Sequence, residues 1–160
     1  MKISFEELPN QARIWIYPSN RPFTEEELER LIPSLDHFVA HWAAHGTPLK
    51  AAYTVPYRRF IVLGVDQDIQ KASGCSIDHS VRFIQEIEEE FQVTLLDKMN
   101  VTFKQGEFLA YKSLSDFRKM AKDKAVSANT IVFNNLVESK EEFETHWEVP
   151  ASDSWHSRFL

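Results

Sequence analysis

"KAAYTVPYRRFIVLGVD", residues 50–66, decides the fold of this chain. Two runs rich in apolar and β-branched residues flank Pro56–Arg58, and proline followed by polar residues is turn chemistry. We read the stretch as two strands around that turn. Upstream, "ARIWIY" (12–17) alternates apolar and polar side chains and reads as a strand ending at Pro18. A helix then announces itself: Thr24 can cap it, Glu27 completes a capping box, and Phe23 can staple onto Leu28. Leu28, Leu31, Leu35, Phe38 and Trp42 keep one helical stripe across Pro33, so we read one kinked helix there. Gly46 supplies a left-handed stop and Pro48 prevents resumption.

Downstream, a helix runs from about Ser76 to Phe91, with Ile77, Val81, Ile84, Ile87 (or Glu88) and Phe91 as its buried stripe. "NVTFKQGEFLAYK" is a hairpin turning at Gln105-Gly106. Ser113 begins a short basic helix, "NTIVFNNLV" is another strand, and "SKEEFETHW" gives a last helical turn or two. The tail "EVPASDSWHSRFL" has no periodicity, yet Trp147, Trp155 and Phe159 are too large and apolar to leave in water. They dock on this chain or on another. The first six elements run β-α-β-β-α-β. That order predicts an α+β fold, a ferredoxin-like split βαβ sandwich (βαββαβ) with a C-terminal extension, in one domain covering 1–160. Such a fold hosts many functions and sets none of them.

Composition narrows the function. The chain has 160 residues, 43% hydrophobic and 26% charged, an ordinary globular balance for one domain with a sizeable core. Its 18 Lys and Arg against 24 Asp and Glu give a net charge of −6, which disfavours nucleic acid and anionic membranes as partners. One cysteine cannot form an internal disulfide, "MKISFEELPNQ" lacks the apolar stretch of a secretory signal, and "FIVLGV" is too short to span a bilayer. These features predict a soluble, cytoplasmic protein.

Candidate chemistry centres on "ASGCSIDHSVRFIQ", residues 72–85. Cys75 sits where a helix begins, and a thiol there can be activated by free N–H groups and the helix dipole. His79 lies one turn on and could act as its base. Ser73, Gly74 and Ser76 could form a small anion nest of backbone amides. The plain alternative is that a serine caps the helix, Gly74 makes the turn and Cys75 packs as a small residue. Asp66 and Asp68 follow the apolar strand, a position where carboxylates often hold magnesium, with a solvated loop as the plainer reading. They fail the calcium-loop pattern, because Gln70 and Lys71 stand where a ligand and a glycine are needed. His37, His41 and His45 recur every four residues and read as a solvated helix flank, without HExxH or a CxxC pair, so no metal or cofactor is assigned. "DSWH" contains the residue types of a hydrolase triad in Asp153, Ser154 and His156, but neighbours in sequence seldom face one another. From Lys98 to Lys124 seven Lys or Arg face three Asp or Glu, a local +4 that leaves −10 elsewhere. This basic run reads as the wet face of a helix.

At "SGCSIDHSVRFIQE", "MNVTFKQGE", "AVSANTIVFNNLV" and "WEVPASDSWHSRFL" the chain is similar to a small bacterial family of uncharacterised proteins. The likeness covers nearly the whole length, and members often carry the label "ABC transporter ATPase". It implies no catalytic residue. A P-loop needs G-x-x-x-x-G-K-[ST], whereas the glycines here are Gly46, Gly64, Gly74 and Gly106, no two of them five apart. The expected function is therefore non-catalytic binding of a small ligand or a protein partner, through the loop Asp66–His79 with Asp66, Asp68, Ser73, Gly74, Ser76 and Asp78 as contacts. The alternatives are a thiol enzyme using Cys75 and His79, and a structural subunit whose aromatic tail is buried in a homodimer.

Overall fold

The computed structural model describes residues 1–160, and the chain divides into two units: Met1–Leu96 with Glu138–Glu141, and Asp97–Val137 with Glu142–Leu160. The fold is α+β in both.

The first unit opens with a 3-10 turn, Phe5–Glu7, and continues through β1 (Arg13–Pro18), α1 (Glu25–His41), the two-residue strands β2 (Ala43–Ala44) and β3 (Thr47–Pro48), β4 (Lys50–Thr54), β5 (Phe60–Asp66) and α2 (Gly74–Phe91). Residues 50–66 form the hairpin read from the sequence. β5 lies between β1 and β4 and is antiparallel to both, with Trp15 and Tyr53 opposite Leu63. β1 and β4 are thus parallel to each other, joined through α1 across the intervening strand. As the central strand, β5 is covered on both faces, which is why "FIVLGV" is apolar throughout and does not alternate. Its turn is made without glycine: Tyr57 and Arg58 both hold left-handed backbone, at φ 58° and 53°. The Arg58 carbonyl there accepts the Phe23 N–H at 2.6 Å.

Gly64 is the close-approach position of this sheet. A Cβ there would lie 2.5 Å from Leu8 Cδ1 and 3.0 Å from Ile14 Cδ1, both on buried side chains. Gly64→Ala is expected to cost about 1–3 kcal/mol through forced repacking, read as a lower urea midpoint with an unchanged slope. A neutral substitution would show that this corner is loosely packed.

α1 starts as its sequence demands. Thr24 Oγ1 accepts the Glu27 N–H at 3.1 Å and Glu27 accepts the Thr24 N–H at 2.9 Å, the reciprocal capping box. The helix continues through Pro33 but ends at His41, short of Gly46. Gly46 (φ 77°) and His45 (φ 52°) instead make the turn between β2 and β3. α2 begins at Gly74, with Ser73 as cap, and buries Ser76, Ser80, Ile84, Ile87 and Phe91. Its buried face is rotated by about one residue from the expected stripe at this end: Ile77 and Val81 are only half-buried.

The two helices run antiparallel. Phe23, just before α1, meets Phe91 at the end of α2 edge-on (5.9 Å), while Trp42 at the other end of α1 donates to the Ser76 carbonyl (2.8 Å). Arg21 clamps the first junction, with two 2.8 Å bonds to the Glu27 carboxylate and one of 2.6 Å to the Phe91 carbonyl. Hydrogen bonding from Arg21 holds the Glu27 carboxyl down to about 2. Its contribution to stability is complete above the ordinary glutamate range and is lost as the pH falls toward 2. On the outer edge of β1, the returning segment bonds through Ile14 N–H to Glu138 O (2.8 Å) and Lys140 N–H to Ala12 O (3.0 Å). The buried Lys140 ammonium donates to the carbonyls of Glu6 (2.9 Å) and Leu8 (2.7 Å), tying down the N-terminal turn.

The second unit contains β6 (Asn100–Gln105), β7 (Phe108–Ser113), α3 (Leu114–Lys122), β8 (Ile131–Phe133), the later part of α4 (Lys140–His146) and β9 (Glu148–Pro150). Its sheet has the order β7-β6-β8-β9, antiparallel throughout. β6 was expected as the fourth strand of a ferredoxin-like sandwich. It pairs instead with β7 and β8, while bonds from Glu138 and a bridge from Ser139 to Arg13 occupy the free edge of β1. The aperiodic tail becomes β9 followed by 3-10 turns at Ala151–Asp153 and Trp155–Phe159. Val101, Phe103, Phe117, Val126, Val132, Val149 and Ala151 form the core of this unit, with Trp155 and Phe159 packed against it. No helix of the chain is long and apolar enough to cross a membrane.

Candidate functional site

The residues singled out around Cys75 do not converge. Asp66 Oδ1 accepts the N–H of Asp68 (3.0 Å), closing a local turn after β5. Ser73 and Ser76 form their own capping box: Ser73 Oγ accepts the Ser76 N–H at 3.1 Å, and Ser76 Oγ accepts the Ser73 N–H at 2.7 Å. Ser76 is buried, and its carbonyl receives the Trp42 indole. Gly74 is the first helical residue, with open space about it. Cys75 and Asp78 are exposed, and no hydrogen bond joins Cys75 to His79. The imidazole of His79 turns toward α1, edge-on to Phe38 at 5.4 Å.

That contact lies in a hollow of the first unit. Pro33, Ser34, His37, Phe38 and His41 of α1 and His79, Phe83 and Glu86 of α2 line a groove of about 480 Å³. The periodicity of each helix builds a wall. His37 and His41 are one turn apart on α1, while His79, Phe83 and Glu86 follow i, i+4, i+7 along α2. Phe38 and Phe83 stack at 4.3 Å and 12° to form the floor. Phe38 is backed by the buried ring of Trp42 at 5.0 Å. The rings of His37 and His41 lie 4.3 Å apart. His41 Nδ1 donates to the His37 carbonyl at 2.8 Å, which fixes the ring's orientation along the helix. His45 is in the β2–β3 turn and does not line the groove, so the third imidazole comes from α2. No three His, Cys, Asp or Glu side chains converge as a metal site.

Glu86 is the one acidic or basic side chain in this lining besides the imidazoles. Across α1 and α2, ten carboxylates stand against two arginines, Arg30 and Arg82. Ser34 is the only hydroxyl in the groove, and it donates to the Arg30 carbonyl at 3.2 Å, as an unactivated helical serine does. Phe83 and Glu86 were not singled out from the sequence as site residues; their i+4 and i+7 spacing from His79 on α2 is the signal that could have found them. A second hollow of about 460 Å³ is lined by Lys2, Phe5, Leu28 and Tyr53 among others. The Lys2 ammonium and the Tyr53 hydroxyl there are each 2.7 Å from the Asp36 carboxylate, so these polar groups already pair with one another.

In the second unit, Ser154 Oγ and His156 Nδ1 are hydrogen-bonded at 2.7 Å. Two members of the "DSWH" set therefore do meet, while Asp153 is exposed and bonds to neither. Burial lowers the His156 imidazole to about 4, well below the range in which a general base works at neutral pH. Compared with known proteins, the chain matches no family model, no curated protein and no solved structure.

Proposed function

We propose that this chain is a non-catalytic binding domain whose α1–α2 groove takes a small cationic ligand bearing a flat ring or guanidinium group. The observation that carries this reading is the groove itself. Its size falls within the roughly 300–1,000 Å³ of ordinary ligand pockets, with an apolar floor and a few polar groups to orient the guest. Half-buried Phe83, stacked on the buried Phe38 ring, offers with the three imidazoles faces for a planar cation, and Glu86 offers the charge-assisted bond that fixes its direction. The carboxylates of both helices supply a field that attracts cations and repels anions. The thiol-enzyme alternative retains the exposure of Cys75 in the first turn of α2, but it lacks a base hydrogen-bonded to the sulfur.

Benzamidinium and benzoate share a ring and differ in charge, so together they test the reading. Titration of labelled protein with benzamidinium should shift the amide signals of residues 33–41 and 79–86, and benzoate should not. Glu86→Gln is expected to weaken benzamidinium binding about tenfold, the loss of one charge-assisted hydrogen bond. Phe83→Ala should remove binding. Equal response to the two probes, or no response in the groove, would overturn the proposal.

A further inference from the structure

Residues 151–160 of the second unit are held in two different ways. Ala151 and Ser152 still donate backbone hydrogen bonds to the 128–130 loop, at 2.8 and 3.0 Å. From Ser154 onward every backbone hydrogen bond is local: Ser154 to Ala151, Ser157 to Ser154, and Leu160 to Ser157. The 3-10 turn Trp155–Phe159 is therefore attached to its unit by side chains alone. Phe159 packs edge-on to Phe117 (6.4 Å), Trp155 lies over His156 (3.8 Å), and His156 is itself edge-on to Phe117 (6.0 Å).

Of the three rings the turn contributes, His156 is the one fully buried; Trp155 and Phe159 are half-buried. One ring nitrogen is bonded to Ser154, and the other, Nε2, is buried with no hydrogen-bond partner. A neutral imidazole with one unmet nitrogen is tolerable, whereas a fully buried imidazolium with an unmet N–H and no carboxylate is costly, a cost that the faces of Trp155 and Phe117 offset only in part. No acid reaches it. The charged groups of the elements packed about it are Asp116, Arg118, Lys119 and Lys122 on α3 and Asp153 and Arg158 in the tail, all exposed. Arg118 lies over the Phe159 ring (5.2 Å) and adds charge of the same sign as an imidazolium.

We propose that residues 154–160 form an acid-loosened latch: protonation of His156 shifts the 3-10 turn toward release from the core of the second unit, uncovering Phe117. The released tail binds the extra proton and the closed one excludes it. A histidine lowered on closing stabilises the closed form fully above its ordinary value and loses that stabilisation as the pH falls toward the lowered one. The ratio of open to closed therefore grows about tenfold for each pH unit below about 6.5, until the closed form also protonates near pH 4. The Arg21–Glu27 clamp of the first unit weakens only in stronger acid, so the two events separate along the pH axis.

Amide hydrogen exchange on the full chain, corrected for intrinsic rates, reads the latch directly. Between pH 7.5 and 4.5 the protection of residues 154–160 should fall on the order of 50–100-fold. His156→Phe keeps a ring in the socket and removes the titrating group, so its tail should stay protected at both pH values. Equal protection of the wild-type tail at both pH values overturns the latch, and so does an undiminished pH response in His156→Phe. Should that variant fail to fold, the imidazole carbon signals of wild-type His156 decide. Titration coincident with loss of tail protection supports release, and titration with the tail still protected overturns it.

Discussion

Trp42→Ala is expected to lower the unfolding free energy by about 4 kcal/mol, within the range for deleting a fully buried large aromatic. Trp42 has no exposed surface and packs edge-on to Trp15 (5.6 Å) and against Phe38 (5.0 Å). Its indole N–H holds the Ser76 carbonyl at the start of α2. Removing it empties the region between both helices and the sheet and unpins one end of the helix pair. Trp42→Phe keeps most of the ring and loses the hydrogen bond, so it should cost about 1–2 kcal/mol. Urea unfolding followed by circular dichroism separates the two values. A loss below about 1 kcal/mol for the alanine variant would mean that the site collapses around the hole. Because Phe38 rests on Trp42, the alanine variant should also lose benzamidinium binding under conditions where it remains folded.

The second large effect belongs to the tail. Ending the chain at Pro150 removes Ala151, Trp155, His156 and Phe159 from the core of the second unit and should destabilise that unit by about 3 kcal/mol or more. The reason is exposed apolar area. Phe103 and Phe117, both without accessible surface, would lose the rings that cover one side of their cluster. Lower hydrogen-exchange protection across β6, β7 and α3, together with binding of an apolar dye, is the expected signature. An unchanged melting transition with unchanged protection would show the tail to be peripheral.

Local chemistry was legible in this sequence, and long-range pairing was not. The Thr24–Glu27 box, the hairpin at Gly106, the Ser113 cap and the strand-turn-strand of residues 50–66 all formed where their side chains indicated. Each depends on residues within a few positions of one another. The partner of β6 does not: nothing in "NVTFKQ" distinguishes the edge of β1 from that of β8, and the adjacent β7 was paired through a short turn. Gly46 misled by being a genuine left-handed position that serves a strand turn rather than a helix end. His37 and His41 read as a wet flank because their other wall lies on α2, some forty residues away in sequence. Only the antiparallel contact of the two helices turns an exposed stripe into one side of a groove.

The return of Glu138–Glu141 to the first unit bears on how the protein is made. β1 leaves the ribosome early, yet the segment that bonds to its outer edge is synthesised only after Asp97–Val137. At the roughly 5–20 residues per second of translation, that edge stands open for about 6–24 s in every nascent chain. Unpaired strand edges are templates for joining other chains, so this interval is when neighbouring nascent copies on one messenger are most exposed to mispairing. Lys140 closes the interval when its ammonium takes up the Glu6 and Leu8 carbonyls, so the N-terminal turn of this unit is tied down by a residue translated more than 130 positions later.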